Sequence, residues 1–228
     1  VTGVTEVPGA KLTLTGTADL SSVTSDSEIT VDGKVITWTS NDKPVKLTGL
    51  PDGKYTLEES VAPDGYTITG KVEFELVDGK VQGSESNTVK MINEYSKVTI
   101  SKQDIAGAEL PGAILTLTGE KSLANVTSES EIKVTENSIT WTSGEKSTVL
   151  TGLPNGKYTL REDQAPLGYE IAEEITFTVV NGKVSEFKDD TIIMTDVLKP
   201  EPSEVLISKT DVTGVTEVPG AKLTLTGT

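Results

Sequence analysis

The sequence predicts an all-β protein built as tandem β-sandwiches, and three observations carry that reading. Short runs alternate apolar and polar residues and are rich in Thr and Val: LTLTG, VITWTS, VKLTGL, KYTLEE, KVEFELV, TVKMINE. No stretch keeps an apolar period of 3.6 residues through three turns. The chain also repeats itself. Pro8, Trp38, Tyr55 and Tyr66 return as Pro111, Trp141, Tyr158 and Tyr169, and TGLPxGKYTL stands at both 48–57 and 151–160. A unit of about 100 residues with some seven short strands suits a sandwich.

Taken in order, the turns punctuate the runs. Pro8-Gly9 precedes LTLTG, and Pro111-Gly112 holds the same place in the second copy. VITWTS and VKLTGL follow, then KYTLEE, which ends in the irregular turn Ala62-Pro63-Asp64-Gly65-Tyr66; Ala165 to Tyr169 is its counterpart. Asp78-Gly79 and Asn181-Gly182 suit type I′ hairpins after KVEFELV and its equivalent. TVKMINE and TIIMTDV close the two copies. Residues 212–228 repeat residues 1–17 letter for letter, and EVLISKTD at 204–211 matches KVTISKQD at 97–104. The expected organisation is therefore a domain at 1–96 without its first strand, a complete domain at 97–198, a Pro-rich linker at 199–203 and the start of a third repeat at 204–228. The first joint should be tight, because Glu94-Tyr95-Ser96-Lys97 leads directly into the next strand. Pro200 and Pro202 make the second an extended spacer.

Composition narrows the function classes. The 228 residues carry a net charge of −15, which repels phosphate backbones, so no nucleic-acid partner is expected. With His 0 and Cys 0, imidazole and thiolate catalysis, the usual zinc sites and disulfides are excluded. No apolar run is long enough to span a membrane. Ser25-Asp26-Ser27-Glu28 and Ser128-Glu129-Ser130-Glu131 lack the spacing of a calcium loop and read as solvated loops. No metal and no cofactor is expected. Trp38 and Trp141 read as packing residues, with a sugar-stacking platform as the alternative.

The informative feature is where charged residues fall in the alternation. Successive strand residues point to opposite faces. Val98, Ile100 and Lys102 share a face, as do Ile192, Met194 and Asp196, and Tyr158, Leu160 and Glu162. The first copy aligns Tyr55, Leu57 and Glu59, and Val89, Met91 and Asn93; the tail aligns Val205, Ile207 and Lys209. Glu58 and Asp163 fall on the outward face. Alternation alone leaves two readings open. These polar residues sit at strand ends and reach solvent, or they form a buried Lys–Glu–Asp cluster. Burial disfavours charge, lowering an amine's pKa and raising a carboxyl's. A neutral amine beside a protonated carboxyl is a nucleophile facing an electrophile, so the pattern permits an amide bond between side chains.

SKQD, YTLREDQAPLGY and IIMTD, in that order, resemble the collagen-adhesin B-type (CnaB-like) repeat domains of Gram-positive surface adhesins and pilins. The resemblance covers nearly all of both copies. It implies a prealbumin-like, inverse-immunoglobulin sandwich whose first-strand Lys joins a last-strand Asn or Asp, assisted by a Glu. On that resemblance Lys102 is the nucleophile, Asp196 the acceptor and Glu162 the assisting acid. Asn93 and Glu59 take the acceptor and assisting roles in the first copy, and Lys209 is the nucleophile of the third repeat. Asp196 stands where Asn is commoner.

The function expected is a structural stalk or spacer of a bacterial cell-surface adhesin or pilus-like protein, extracellular and attached to the cell wall. Self-cross-linking would occur once per molecule, so no turnover enzyme is expected. The alternative is an adhesive module that binds a host matrix protein or glycan directly. Expected partners are neighbouring repeats, and head-to-tail self-association in which Lys209 of one molecule meets Asn93 of another.

Overall fold

The structure is a computed structural model that describes residues 5–202 and 204–227. Residues 1–4, Ser203 and Thr228, which belong to the expected first domain, linker and third repeat, lie outside the described residues. The first repeat comprises β1 (Lys11–Gly16), β2 (Thr24–Ser25), β3 (Thr30–Asp32), β4 (Val35–Thr39), β5 (Leu47–Thr48), β6 (Gly53–Val61), β7 (Val72–Val77) and β8 (Lys80–Val81). The second comprises β9 (Lys97–Asp104), β10 (Ile114–Gly119), β11 (Lys133–Val134), β12 (Ser138–Thr142), β13 (Thr148–Thr151), β14 (Gly156–Gln164), β15 (Ile175–Val180), β16 (Lys183–Val184) and β17 (Thr191–Asp196). A single 3₁₀ turn at Lys188–Asp190 is the only helical element among the described residues, and no helix there is long and apolar enough to cross a membrane.

In the second repeat two sheets face each other. One has the order β11-β12-β10-β14-β15-β16 and the other β13-β9-β17. Every pairing is antiparallel except β9 with β17, the repeat's first and last strands, which run parallel side by side. Alternation delivers the core as expected. Val98, Ile100, Leu115, Leu117, Ile139, Leu160, Ile192 and Met194 all point between the sheets and are buried. Trp141 joins this core, and Tyr158 stacks on Phe177 at 5.3 Å between ring centroids. Asp78 and Gly79, and Asn181 and Gly182, adopt the paired positive φ of a type I′ turn (52° and 70°, 52° and 74°). Each joins strands through a two-residue loop.

The first repeat repeats the larger sheet, β3-β4-β1-β6-β7-β8, but its second sheet is reduced to β2-β5. TVKMINE at 88–94 is not a strand, which departs from the sequence expectation. Its counterpart β17 takes its ladder from β9, and the described residues of the first repeat hold no strand in that place. Without a partner the backbone bonds of a strand cannot form, although Val89 and Met91 still pack against the core around Leu14, Ile36 and Leu57. The same reasoning applies to 204–209, which forms no strand and leaves Val205, Leu206 and Ile207 exposed.

The two repeats meet through a closed joint. Ser96 is fully buried; its N–H donates to Gly65 O, its carbonyl accepts from Gly152 N–H, and its hydroxyl donates to Leu153 O. Tyr66 stacks on Tyr95 at 4.7 Å.

Leu117 lies opposite Ile139 on one side and Leu160 on the other, with no exposed surface. Leu117→Ala should destabilise the second repeat by about 2–5 kcal/mol, the usual cost of a core cavity of that kind. Denaturant unfolding followed by Trp141 fluorescence checks it.

Candidate functional site

Lys102 is the sixth residue of β9 and continues the row of Val98 and Ile100 into the sandwich. Its side chain is 1% exposed, so the amine as well as the stem lies inside. The parallel register sets Met194 opposite Lys102, which places Asp196 two residues further along the same face of the neighbouring strand. Asp196 has no exposed surface. Lys102 Nζ is in direct contact with Asp196 Oδ1. The third member comes from the opposite sheet. Glu162 on β14, paired with Leu115 of β10, puts Oε1 3.3 Å from Lys102 Nζ. The amine is therefore held between a carboxyl of its own sheet and one from across the core.

Two hydrogen-bonding details complete the site. Glu162 Oε2 accepts the Ala172 N–H at 2.7 Å, which orients the carboxyl toward Lys102. Glu162 Oε1, whose contact with Lys102 is an ion pair without hydrogen-bond geometry, and Asp196 Oδ2 are buried acceptors with no hydrogen-bond donor among the described residues. Burial pushes the Glu162 pKa above its ordinary value, and the Ala172 N–H and the charge of Lys102 oppose that rise without cancelling it. Glu162 is thus suited to hold a proton and pass it on.

The first repeat presents the same arrangement without an amine among its described residues. Glu59 Oε2 accepts the Thr69 N–H at 2.7 Å, as Glu162 does from Ala172. Asn93 Nδ2 donates to both Glu59 oxygens, at 2.9 and 2.8 Å, and to Thr67 O at 2.9 Å. Asn93 and Glu59 are therefore together, as acceptor and neighbour. Lys209 differs in its surroundings: it is exposed and its Nζ donates to Thr210 O. Its surrounding turn nevertheless copies that of Lys102. Val218 N–H donates to Lys209 O as Leu110 N–H donates to Lys102 O, each at 2.7 Å.

The remaining candidates take ordinary places. Glu58 pairs with Lys71 at the surface, and Asp163 pairs with Arg161. Asp26, just after β2, accepts the Lys46 N–H from the segment leading into β5. The amides of Ala172 and Thr69 escaped sequence reasoning, because a backbone N–H carries no residue-type signature. Their common separation of 10 residues from the glutamate they hold was the available signal.

The sequence pattern of the SpaA prealbumin-like fold domain matches residues 1–92 and again 96–191. The chain belongs to this family, in two tandem copies. That bears out the resemblance read from SKQD, YTLRED and IIMTD. Solved structures with matching chains include the C-terminal fragment of the pilus adhesin SpaC from Lactobacillus rhamnosus GG, at 19% identity. That match covers 86% of this chain and 92% of the other, with a TM-score of 0.41. The shaft pilin SpaA of the same organism matches at 17% identity over 88% of this chain and 90% of the other, with a TM-score of 0.34. The Bacillus anthracis TIE protein matches at 25% identity over 83% of this chain and 31% of the other, with a TM-score of 0.37. No curated protein matches the sequence.

A carboxyl whose folded pKa is raised binds its proton more tightly in the folded state. Its burden on stability is therefore absent below the ordinary value near 4.5 and grows as pH rises through the folded value. Glu162→Gln removes that titration. The stability of the native protein relative to Glu162→Gln should fall as pH is raised from 4 toward neutrality, measured by urea unfolding at stepped pH.

Proposed function

We propose that this chain is a structural stalk or spacer of an extracellular, cell-wall-attached adhesin or pilus-like protein of Gram-positive bacteria, with each repeat reinforced by a self-made amide cross-link. The observation that carries the reading is the buried contact of Lys102 Nζ with the Asp196 carboxyl, with Glu162 across the core. Membership of the prealbumin-like family supports the stalk role.

The reaction balances without a cofactor. The Lys102 nitrogen bonds to Asp196 Cγ and one carboxyl oxygen departs. Two protons leave the ammonium for that oxygen, which goes as water. Glu162 relays them, since it touches the nitrogen and holds a proton more readily than an exposed glutamate does. The product is neutral, so two buried charges disappear along with the unsatisfied Asp196 oxygen. In the first repeat a lysine-bearing strand beside 88–94 would meet Asn93 in the same way. Ammonia would leave from Nδ2, the atom Glu59 already holds. Segment 204–211, with Lys209, carries the sequence of such a strand.

The mechanical consequence follows from topology. Tension enters at the start of β9 and leaves at the end of β17, pulling two parallel neighbours in opposite directions. A Lys102–Asp196 amide carries that tension across one bond, and everything from 103 to 195 is bypassed. Lys102 and Asp196 stand 94 positions apart in the chain. By the loop-entropy argument used for disulfides, closing such a loop contributes about 4–5 kcal/mol.

Intact mass of the folded protein should lie about 18 Da below the sequence mass, one water lost per amide formed. Tandem mass spectrometry should find residues 102 and 196 in one branched peptide. Glu162→Ala should fold and retain the full mass, and Lys102→Ala should melt well below the native protein. An unmodified mass in natively folded protein overturns the cross-link.

A further inference from the structure

We propose that the end of the second repeat formed by Lys121, Asn155 and Asn181 is a selective socket for the Ala62–Tyr66 loop of a first-type repeat, so that repeats close a rigid joint in one order only. This is independent of the cross-link, because no residue of the trio takes part.

The loop is held at both its backbone and its side chain. Ala62 N–H donates to Asn181 Oδ1 at 2.9 Å, and Ala62 O accepts Asn155 Nδ2 at 3.2 Å. Asp64 takes both Lys121 Nζ at 2.7 Å and the Asn155 N–H at 3.1 Å. Fit is close as well. A side chain on Gly182 would strike Tyr66 O at 2.4 Å, and one on Gly65 would approach Gly152 O at 2.9 Å. The asparagine at 155 is shared between two tasks. Its Oδ1 accepts the Gly182 N–H of its own hairpin turn, at 3.1 Å, which frees its amide nitrogen to donate to the neighbour.

The corresponding end of the first repeat has different chemistry at every one of these positions. Ala18, Asp52 and Asp78 stand where Lys121, Asn155 and Asn181 do. Asp52 spends both oxygens on its own turn, accepting from Asp78 N–H at 2.8 Å and Gly79 N–H at 2.9 Å. A carboxylate at this position has no proton to offer an incoming carbonyl and meets it with two acceptors, which is repulsive. The exit loop of the second repeat is altered to match: Leu167 replaces Asp64, fully exposed, so there is no carboxylate to seek a lysine. The segment after it is longer and carries Pro200 and Pro202 where the first joint has Tyr95-Ser96. A second-type loop and a first-type socket therefore lack the ion pair, the side-chain donor and the short connection together.

The test removes the socket's two donors in the full chain, as Lys121→Ala with Asn155→Asp; Asn181 is kept, because an aspartate there would still accept the Ala62 N–H. Hydrogen exchange by NMR reads Ala62 N–H at the joint, and Leu57 and Leu160 N–H in the two cores. Residual dipolar couplings ask whether the repeats share one alignment. The variant should exchange Ala62 about tenfold faster, on the order of one hydrogen bond lost, and give two alignments with both cores still protected. Unchanged Ala62 exchange with a single alignment overturns the proposal. If the variant loses core protection, Asp64→Leu decides in its place, since that side chain is half exposed. It should loosen the joint as well, and a joint as tight as the native one overturns the socket.

Discussion

A lysine amine with 1% exposure has to be compensated, because an isolated charge in a protein interior is untenable. The second repeat meets that demand from two sides. Its own sheet brings Asp196, and the facing sheet brings Glu162. Neither would arrive without the rest of the architecture. Asp196 requires β17 to lie parallel to β9 in a register that seats Met194 against Lys102. Glu162 requires the six-stranded sheet to close over the same core. The trio is thus a condition on sheet pairing, strand direction and layer spacing at once. A neutral amide at Lys102 and Asp196 would relieve the charges and keep the geometry.

The two repeats share a pattern and differ in completeness, and the comparison separates causes. Both hold the inward glutamate by a backbone N–H ten residues on; Glu59 then reaches Asn93, and Glu162 reaches Lys102, the partner of Asp196. Only the second has a strand beside the segment that carries this Asn or Asp, among the described residues. There that segment is itself a strand and the core is larger. In the first, 88–94 keeps its apolar contacts and loses its ladder. Side-chain packing and backbone pairing are separate contributions, and removing the neighbour removes only the second.

At the joint a single change of atom type has consequences for assembly. Asn155 and Asp52 are close in size and sit at matching positions, and each satisfies its own hairpin turn. The amide has a donor left over for a neighbouring chain segment and the carboxylate does not. Repeats that are alike in their cores therefore differ in what their ends accept.

Much of this is legible in the sequence alone. Strand periodicity is local covalent geometry, so alternation placed Lys102, Glu162 and Asp196 on inward faces, and Asn-Gly and Asp-Gly announced their turns through the φ they tolerate. Self-comparison located the repeats. The strand expected at 88–94 failed because a strand exists only as half of a pair, and its partner is not a property of those residues. The N–H groups of Ala172 and Thr69 were hidden because every residue but proline has one, and only the path of the chain decides which is near a carboxyl. The roles of Asn155 and Asn181 were hidden too, since an asparagine in a turn reads the same whether it serves its own loop or a neighbour's. Face and turn type follow from bonded neighbours and can be read along the chain; partnership depends on what folding brings alongside, and the tertiary structure alone decides it.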